Sequence, residues 1–220
     1  MKQRQESLIP GLAPEGLTFV FSGAALLVAC LVVPRWVGAL IFAAYTAFAV
    51  WFFRDPERYP PPGDDTVLSP ADGRVVDVED IQKAPYTGEP ARKVGIFMSG
   101  FDVHVNRNPI SGRVEGIYYK QGGFIKADLA QASLLNEQNA ILLRRDDGVG
   151  VMFIQVAGLV ARRIVCYLEI GDRVERGARM GMIRFGSRLD VYVSPDTEIS
   201  VQKGDKVRAG ETVLGTVPWS

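Results

Sequence analysis

Two uncharged apolar runs, residues 17–33 and 36–53, stand near the start of the chain with only Pro34 and Arg35 between them. Each is near the short end of the roughly 17–25 residues that cross a bilayer. Pro34 cannot continue a helix, so the pattern predicts two antiparallel helices joined by a very tight turn. Trp36 and Trp51 fall near the ends of the second run, where an interfacial aromatic belt would hold them. From residue 67 onward the pattern changes to short apolar–polar alternations punctuated by glycine. It predicts strands at about 93–99, 113–120, 141–145, 149–157, 161–170 and 180–193. One stretch, roughly 124–137, has helical spacing instead, with Ile125, Leu129, Ala132 and Leu135 on one face. The organisation expected is therefore a tail (1–16), an apolar hairpin (17–53), a Pro- and charge-rich linker (54–66) and a β-domain (67–220).

The β-domain repeats itself. SPADGRVVDVE (69–79) and NPISGRVEGIY (108–118) share Pro-x-x-Gly-Arg-Val. GDRVERGARMG (171–181) and GDKVRAGETVLG (204–215) share Gly-Asp-x-Val-x-x-Gly. These elements resemble the half-motifs of the barrel-sandwich hybrid of biotinyl and lipoyl domains, and two copies of each imply duplication. The fold class expected is mainly β: a duplicated barrel-sandwich-hybrid-like domain with one or two short helices, preceded by the apolar helical hairpin. A swinging-arm carrier needs an exposed lysine flanked by methionine. No Met-Lys pair occurs after residue 2, so the carrier reading loses its key residue.

Charge and rare residues narrow the chemistry. Lys+Arg and Asp+Glu are equal at 25 each, which argues against a nucleic-acid partner. Cys30 and Cys166 sit in apolar surroundings and read as small buried hydrophobes, with neither a disulfide framework nor a metal site expected. His104 is the single histidine, which rules out chemistry needing two imidazoles. Lys2 and Arg4 precede the hairpin, and Arg54 and Arg58 follow it. If both helices span, both flanks lie on the cytoplasmic face of the cell membrane; a shallow monotopic hairpin is the other arrangement.

The candidate reactive groups are Asp72 in SPADG, His104 in FDVHVNRNP, and Ser187, preceded by Gly186, in RFGS. Each alone has a plain reading: a turn aspartate, a structural histidine, a serine in a strand. Together they allow a membrane-anchored Ser-His-Asp hydrolase, although no Gly-x-Ser-x-Gly elbow surrounds Ser187.

Together with SPADG, FMSGFDVHVNRNPISG (97–112), FIQVAGLVARRI (153–164) and RFGSRLDVYV (184–193), they resemble phosphatidylserine decarboxylases, in the shorter branch found in archaea and many bacteria. The resemblance runs over nearly the whole chain. It implies that the chain cuts itself between Gly186 and Ser187, giving a β chain (1–186) and an α chain (187–220) that stay associated. It implies a covalent pyruvoyl group made from Ser187, with no pyridoxal phosphate and no metal. The substrate implied is a phospholipid at the membrane, decarboxylated through a Schiff base to phosphatidylethanolamine. His104 is then expected as base and proton donor, with Asp72 orienting it. Longer members carry two histidines three positions apart and an Leu-Gly-Ser-Thr cleavage motif. Here those histidine positions hold His104 and Arg107, and the motif reads Phe-Gly-Ser-Arg. Arg107, Arg113 and Lys126 are the basic residues expected to meet the lipid phosphate. The oligomeric state, a homo-oligomer included, is left open by the sequence.

Overall fold

The computed structural model describes residues 8–123, 132–158, 163–184 and 186–217. The chain forms two compact units that part between Glu57 and Arg58.

The first unit is a helical hairpin, α1 (Leu17–Val32) and α2 (Trp36–Phe52). Gly16 lies against Phe53, Gly23 against Tyr45 and Thr46, and Gly38 against Cys30, the contact order of an antiparallel pair. Pro14–Val32 is long and apolar enough to cross a membrane, and Trp36–Phe52 is a shorter apolar helix. Large apolar side chains point outward from both helices, among them Phe21, Leu31, Val37, Leu40 and Ile41. The Ser22 and Thr46 hydroxyls donate to the Phe19 and Phe42 carbonyls at 3.1 and 2.7 Å, which satisfies them within their own helices.

The second unit is built from strands. In chain order they are β1 (Thr66–Leu68), β2 (Gly73–Ile81), β3 (Ala91–Met98), β4 (Val105–Arg107) and β5 (Gly112–Lys120). A short helix, α3 (Ala132–Leu135), precedes β6 (Gln138–Arg144), β7 (Gly150–Val156), β8 (Ile164–Cys166) and β9 (Arg173–Val174). Then come β10 (Arg179–Ile183), β11 (Ser187–Val193), β12 (Glu198–Ile199), β13 (Lys206–Val207) and β14 (Val213–Thr216). The expected helix over 124–137 is described only at α3, since 124–131 lies outside the described residues.

The pairing repeats as the sequence does. The largest sheet runs β13-β2-β3-β11-β7-β6-β5-β9, so that β13-β2-β3-β11 is answered by β9-β5-β6-β7. The two small sheets, β1-β14-β12 and β4-β10-β8, answer each other in the same way. Each Pro-x-x-Gly-Arg-Val strand pairs with one Gly-Asp-x-Val segment, Gly73 with Val207 and Gly112 with Val174. The hydrogen bonds match too: Val75 N donates to Asp205 O and Val114 N to Asp172 O, both at 2.9 Å. Glycine is required at both starts, because a Cβ at Gly73 would lie 2.2 Å from Phe97 O and one at Gly112 2.3 Å from Arg144 O. One bulge breaks register between Val75 and Asp77, and another between Val114 and Gly116.

The inward side chains of both halves make one core, including Val94, Ile96, Met98, Ile141, Phe153, Leu189 and Val191. All of these lie on one face of the large sheet, the period-2 consequence of the alternation in the sequence. Ser187 lies on that same face, directly opposite Met98.

Candidate active site

The sequence pattern predicts residues 180–193 as one strand, but the structure splits them between two sheets. β10 pairs with β4 and β8, whereas β11 pairs with β3 and β7. Gly186 makes the corner, with φ of +60° and no heavy atom within 4 Å of the place a Cβ would take. A left-handed backbone position favours glycine, and alternation of side chains carries no signal of it. The Gly186–Ser187 bond therefore joins two elements that are each anchored by their own neighbours.

On the core face, Ser187 is fully buried and its hydroxyl donates to the Met98 sulfur at 3.4 Å. The Asn106 amide donates to the same sulfur at 3.7 Å. Gln155 Nε2 donates to Asn106 Oδ1 at 2.9 Å, and Asn139 Nδ2 to Gln155 Oε1 at 3.0 Å. All three amide side chains are buried. The cost of burying them is offset by hydrogen bonding along the chain they form.

His104 is also buried, two residues before Asn106 in the segment that leads into β4. Its Nδ1 lies 2.9 Å from the backbone carbonyl of Asp102. A carbonyl only accepts, so Nδ1 carries the proton and donates, and Nε2 holds the basic lone pair. Asp102 in turn is stapled to Ser99: its carboxylate accepts from Ser99 N at 2.8 Å and from Ser99 Oγ at 2.7 Å. The register of β4 on β10, Met182 opposite Val105, carries His104 toward Ile183, close in sequence to Gly186.

The opposite face of the sheet holds charge. Arg188 is 1% exposed; its Nε donates to Asp190 Oδ1 at 2.6 Å and its Nη2 pairs with Asp77. Lys93 Nζ approaches Asp77 at 3.4 Å, and Ser133 Oγ donates to Asp190 Oδ2 at 2.7 Å. Burial pushes the Arg188 guanidinium toward losing its proton, but Asp190 and Asp77 more than offset this and hold its pKa above the ordinary value. Neighbouring residues 187 and 188 thus face opposite sides of one sheet, one among neutral amides and the other in an ion-pair cluster.

The other expected residues have partners of their own. Asp72 accepts from the Ala209 amide at 2.8 Å and from Arg58 Nη2 at 2.9 Å. Ser111, at the matching place in the second repeat, accepts from the Arg176 amide at 3.0 Å, so capping this turn is a property of the repeat. Arg107 is buried and donates to Gly177 O at 2.9 Å; Arg113 donates to Gly171 O at 3.2 Å, as Arg74 donates to Gly204 O in the other repeat. Lys126 lies outside the described residues. Among the described residues, no three His, Cys, Asp or Glu side chains gather as a metal site. The residues that sequence reasoning passed over are Asp102, Met98, Asn106, Asn139 and Gln155. For Gln155 the signal is a polar side chain inside an apolar run, FIQV.

Comparison with known proteins bears on this geometry. The profile of the family described as phosphatidylserine decarboxylase matches residues 45–215. A phosphatidylserine decarboxylase proenzyme from Syntrophus aciditrophicus is 48% identical over 207 residues, covering 93% of this chain and 97% of the relative. The protein of the same name from Desulfotalea psychrophila is 46% identical, covering 94% and 96%. That from Magnetococcus marinus is 47% identical, covering 93% and 94%. On this match, the chain belongs to the phosphatidylserine decarboxylase family.

Proposed function

We propose that the chain cuts itself between Gly186 and Ser187 and then decarboxylates phosphatidylserine to phosphatidylethanolamine with a pyruvoyl group made from Ser187. One observation carries the self-cleavage: the bond sits at a left-handed glycine corner, with a buried serine on its C-terminal side and each flank held in a different sheet. A hydrolase of the nucleophile-elbow type needs a turn from strand to helix after its serine, whereas Ser187 opens a strand of seven residues.

His104 is the base in this reading. With Nδ1–H held by the Asp102 carbonyl, Nε2 accepts the Ser187 proton as Oγ adds to the Gly186 carbonyl carbon. The C–N bond breaks, its nitrogen takes the proton, and an ester joins Gly186 to the serine oxygen. Loss of the Ser187 Cα proton then expels the Gly186 carboxylate, which keeps that oxygen. Water hydrolyses the resulting enamine with release of ammonia, leaving the pyruvoyl group at the start of the 187–220 chain. When present, its carbonyl serves as the electron sink for loss of carbon dioxide. The position suits such a group, because residue 187 is buried and bounded by strands on both sides.

Arg188 keeps the new chain end in place through Asp77 on the 1–186 side of the cut and Asp190 on its own side. β11 remains paired with β3 and β7, so the two chains stay one folded unit. The outward apolar surface of the hairpin supports attachment to the membrane, where a diacyl substrate resides. Lys2, Arg4, Arg54 and Arg58 flanking it favour the cytoplasmic face.

The test is to incubate the purified protein with phosphatidylserine vesicles and follow carbon dioxide and phosphatidylethanolamine together. Both are expected from the wild type and neither from Ser187→Ala. Product from Ser187→Ala, or free fatty acid from the wild type in place of carbon dioxide, would contradict the proposal.

A further inference from the structure

The amide chain behind Ser187 has a direction, and a sulfur atom sets it. A thioether only accepts hydrogen bonds, so both Ser187 Oγ–H and an Asn106 Nδ2–H must point at Met98 Sδ. Asn106 Oδ1 is then turned away and accepts from Gln155, whose own oxygen accepts from Asn139. Every donor end in the series points toward Ser187.

The fold does not call for this arrangement. By the matched strand pairings, Asn106 on β4 corresponds to Val67 on β1, and Gln155 on β7 corresponds to Val193 on β11. Val67 and Val193 fill those places with apolar side chains in the same core. The half that carries the serine has valines at both places, and all three buried amides reach toward it from the other half, on β4, β6 and β7.

Resting on the self-cleavage reading, we propose that Asn106, locked in orientation by Gln155 and Asn139, is a positioning residue for the cut, acting through the Met98 thioether on the Ser187 hydroxyl. A buried serine side chain can occupy three staggered rotamers, and only some direct Oγ at the preceding carbonyl. The sulfur fixes the direction of the hydroxyl, yet as a weak acceptor it yields the proton readily to a base. Asn106 keeps that sulfur in place from the opposite side, and Gln155 with Asn139 keeps the Asn106 amide from turning over.

The experiment follows the first-order cleavage rate of purified precursor on denaturing gels, with melting temperature measured in parallel. Met98→Leu conserves volume and removes the acceptor, so it keeps the fold. It is expected to cut at least ten-fold more slowly while melting close to the wild type. Asn106→Leu is expected to slow cutting as much, and to add nothing in the Met98→Leu background, because both act through one sulfur. Asn106→Asp supplies a readout that packing alone would not move. Its carboxyl donates only when protonated, so its cleavage should fall as pH rises through that group, opposite in sign to the rise expected from the His104 base. Met98→Leu cutting at the wild-type rate overturns the inference, as do additive losses in the double variant or an Asn106→Asp pH profile like the wild type's. A wild-type precursor that never cuts overturns the self-cleavage reading and this inference with it.

Discussion

At one end of the large sheet β6 and β7 are joined by a turn; at the other end the corresponding strands, β3 and β11, are not joined at all. The joined end is an ordinary hairpin. Arg145 N donates to Val149 O at 2.8 Å, Gly148 has φ of +92°, and Arg145 pairs with Asp147 across the turn. By the matched registers, Gly148 and Val149 correspond to Gly186 and Ser187, and Arg145 corresponds to Met98. Where the hairpin would close, β3 instead leaves toward His104 and β11 arrives from β10. The candidate site thus occupies the place where the duplication is interrupted. A left-handed glycine before the strand is common to both ends, so strain at glycine is not what makes a bond scissile. The difference lies in the serine, the histidine and the amide chain.

The largest effect expected is on His104, which has no counterpart at the hairpin end. His104→Ala should slow self-cleavage by about 10²–10⁴-fold, the usual worth of a general base, measured as precursor remaining over time. Cutting at the wild-type rate would remove the imidazole from the step. Next, Arg188→Ala leaves the buried Asp190 carboxylate without its guanidinium partner, while Asp77 keeps Lys93, and should cost about 3–5 kcal/mol in denaturant unfolding of the Ser187→Ala precursor. Arg145→Ala, at the hairpin end, should cost less, about 1–3 kcal/mol, since its carboxylate partner Asp147 lies within its own turn. Equal losses would mean that the two ends are not built differently.

Val149→Ser places a Gly-Ser pair at the hairpin end. It is expected to change stability by about 1 kcal/mol and to produce no cut after Gly148, read by intact mass. A cut there would mean that the glycine corner suffices without the base and the amides. The smallest effect concerns acid. The hydrogen bond from Arg145, with further help from the Val149 amide, holds the Asp147 carboxyl below its ordinary pKa despite the opposing effect of burial. Its contribution is therefore present above the unfolded value, about 3.9, and lost as pH falls through the lower folded value. Asp147→Asn should therefore lower stability slightly at neutral pH and converge with the wild type in acid, which flattens the acid limb of the unfolding curve.

The repeat was legible because its turns are written in local sequence. Pro-x-x-Gly-Arg-Val and Gly-Asp-x-Val-x-x-Gly each fix a corner, and the structure pairs them as two copies. Ser187 and His104 were legible through rarity and resemblance. The corner at Gly186 was legible only as a glycine interrupting a predicted strand, because the alternation over Arg188–Val193 carries no sign that the residues before it join another sheet. The amide chain was also hidden. Asn106, Asn139 and Gln155 are scattered along the chain and meet only when β4 packs against the ends of β6 and β7. Asp72 also has a role that the repeat explains. A turn aspartate in the first repeat has a turn serine, Ser111, doing the same capping in the second.

Intact-protein mass spectrometry of freshly purified wild type and of Ser187→Ala, followed over time, tests the central claim most directly. The wild type should resolve into chains 1–186 and 187–220, the shorter one lacking a free amino terminus and carrying the mass of a pyruvoyl group in place of serine, while Ser187→Ala stays whole. A wild-type chain that remains a single 220-residue species while decarboxylating phosphatidylserine would contradict it.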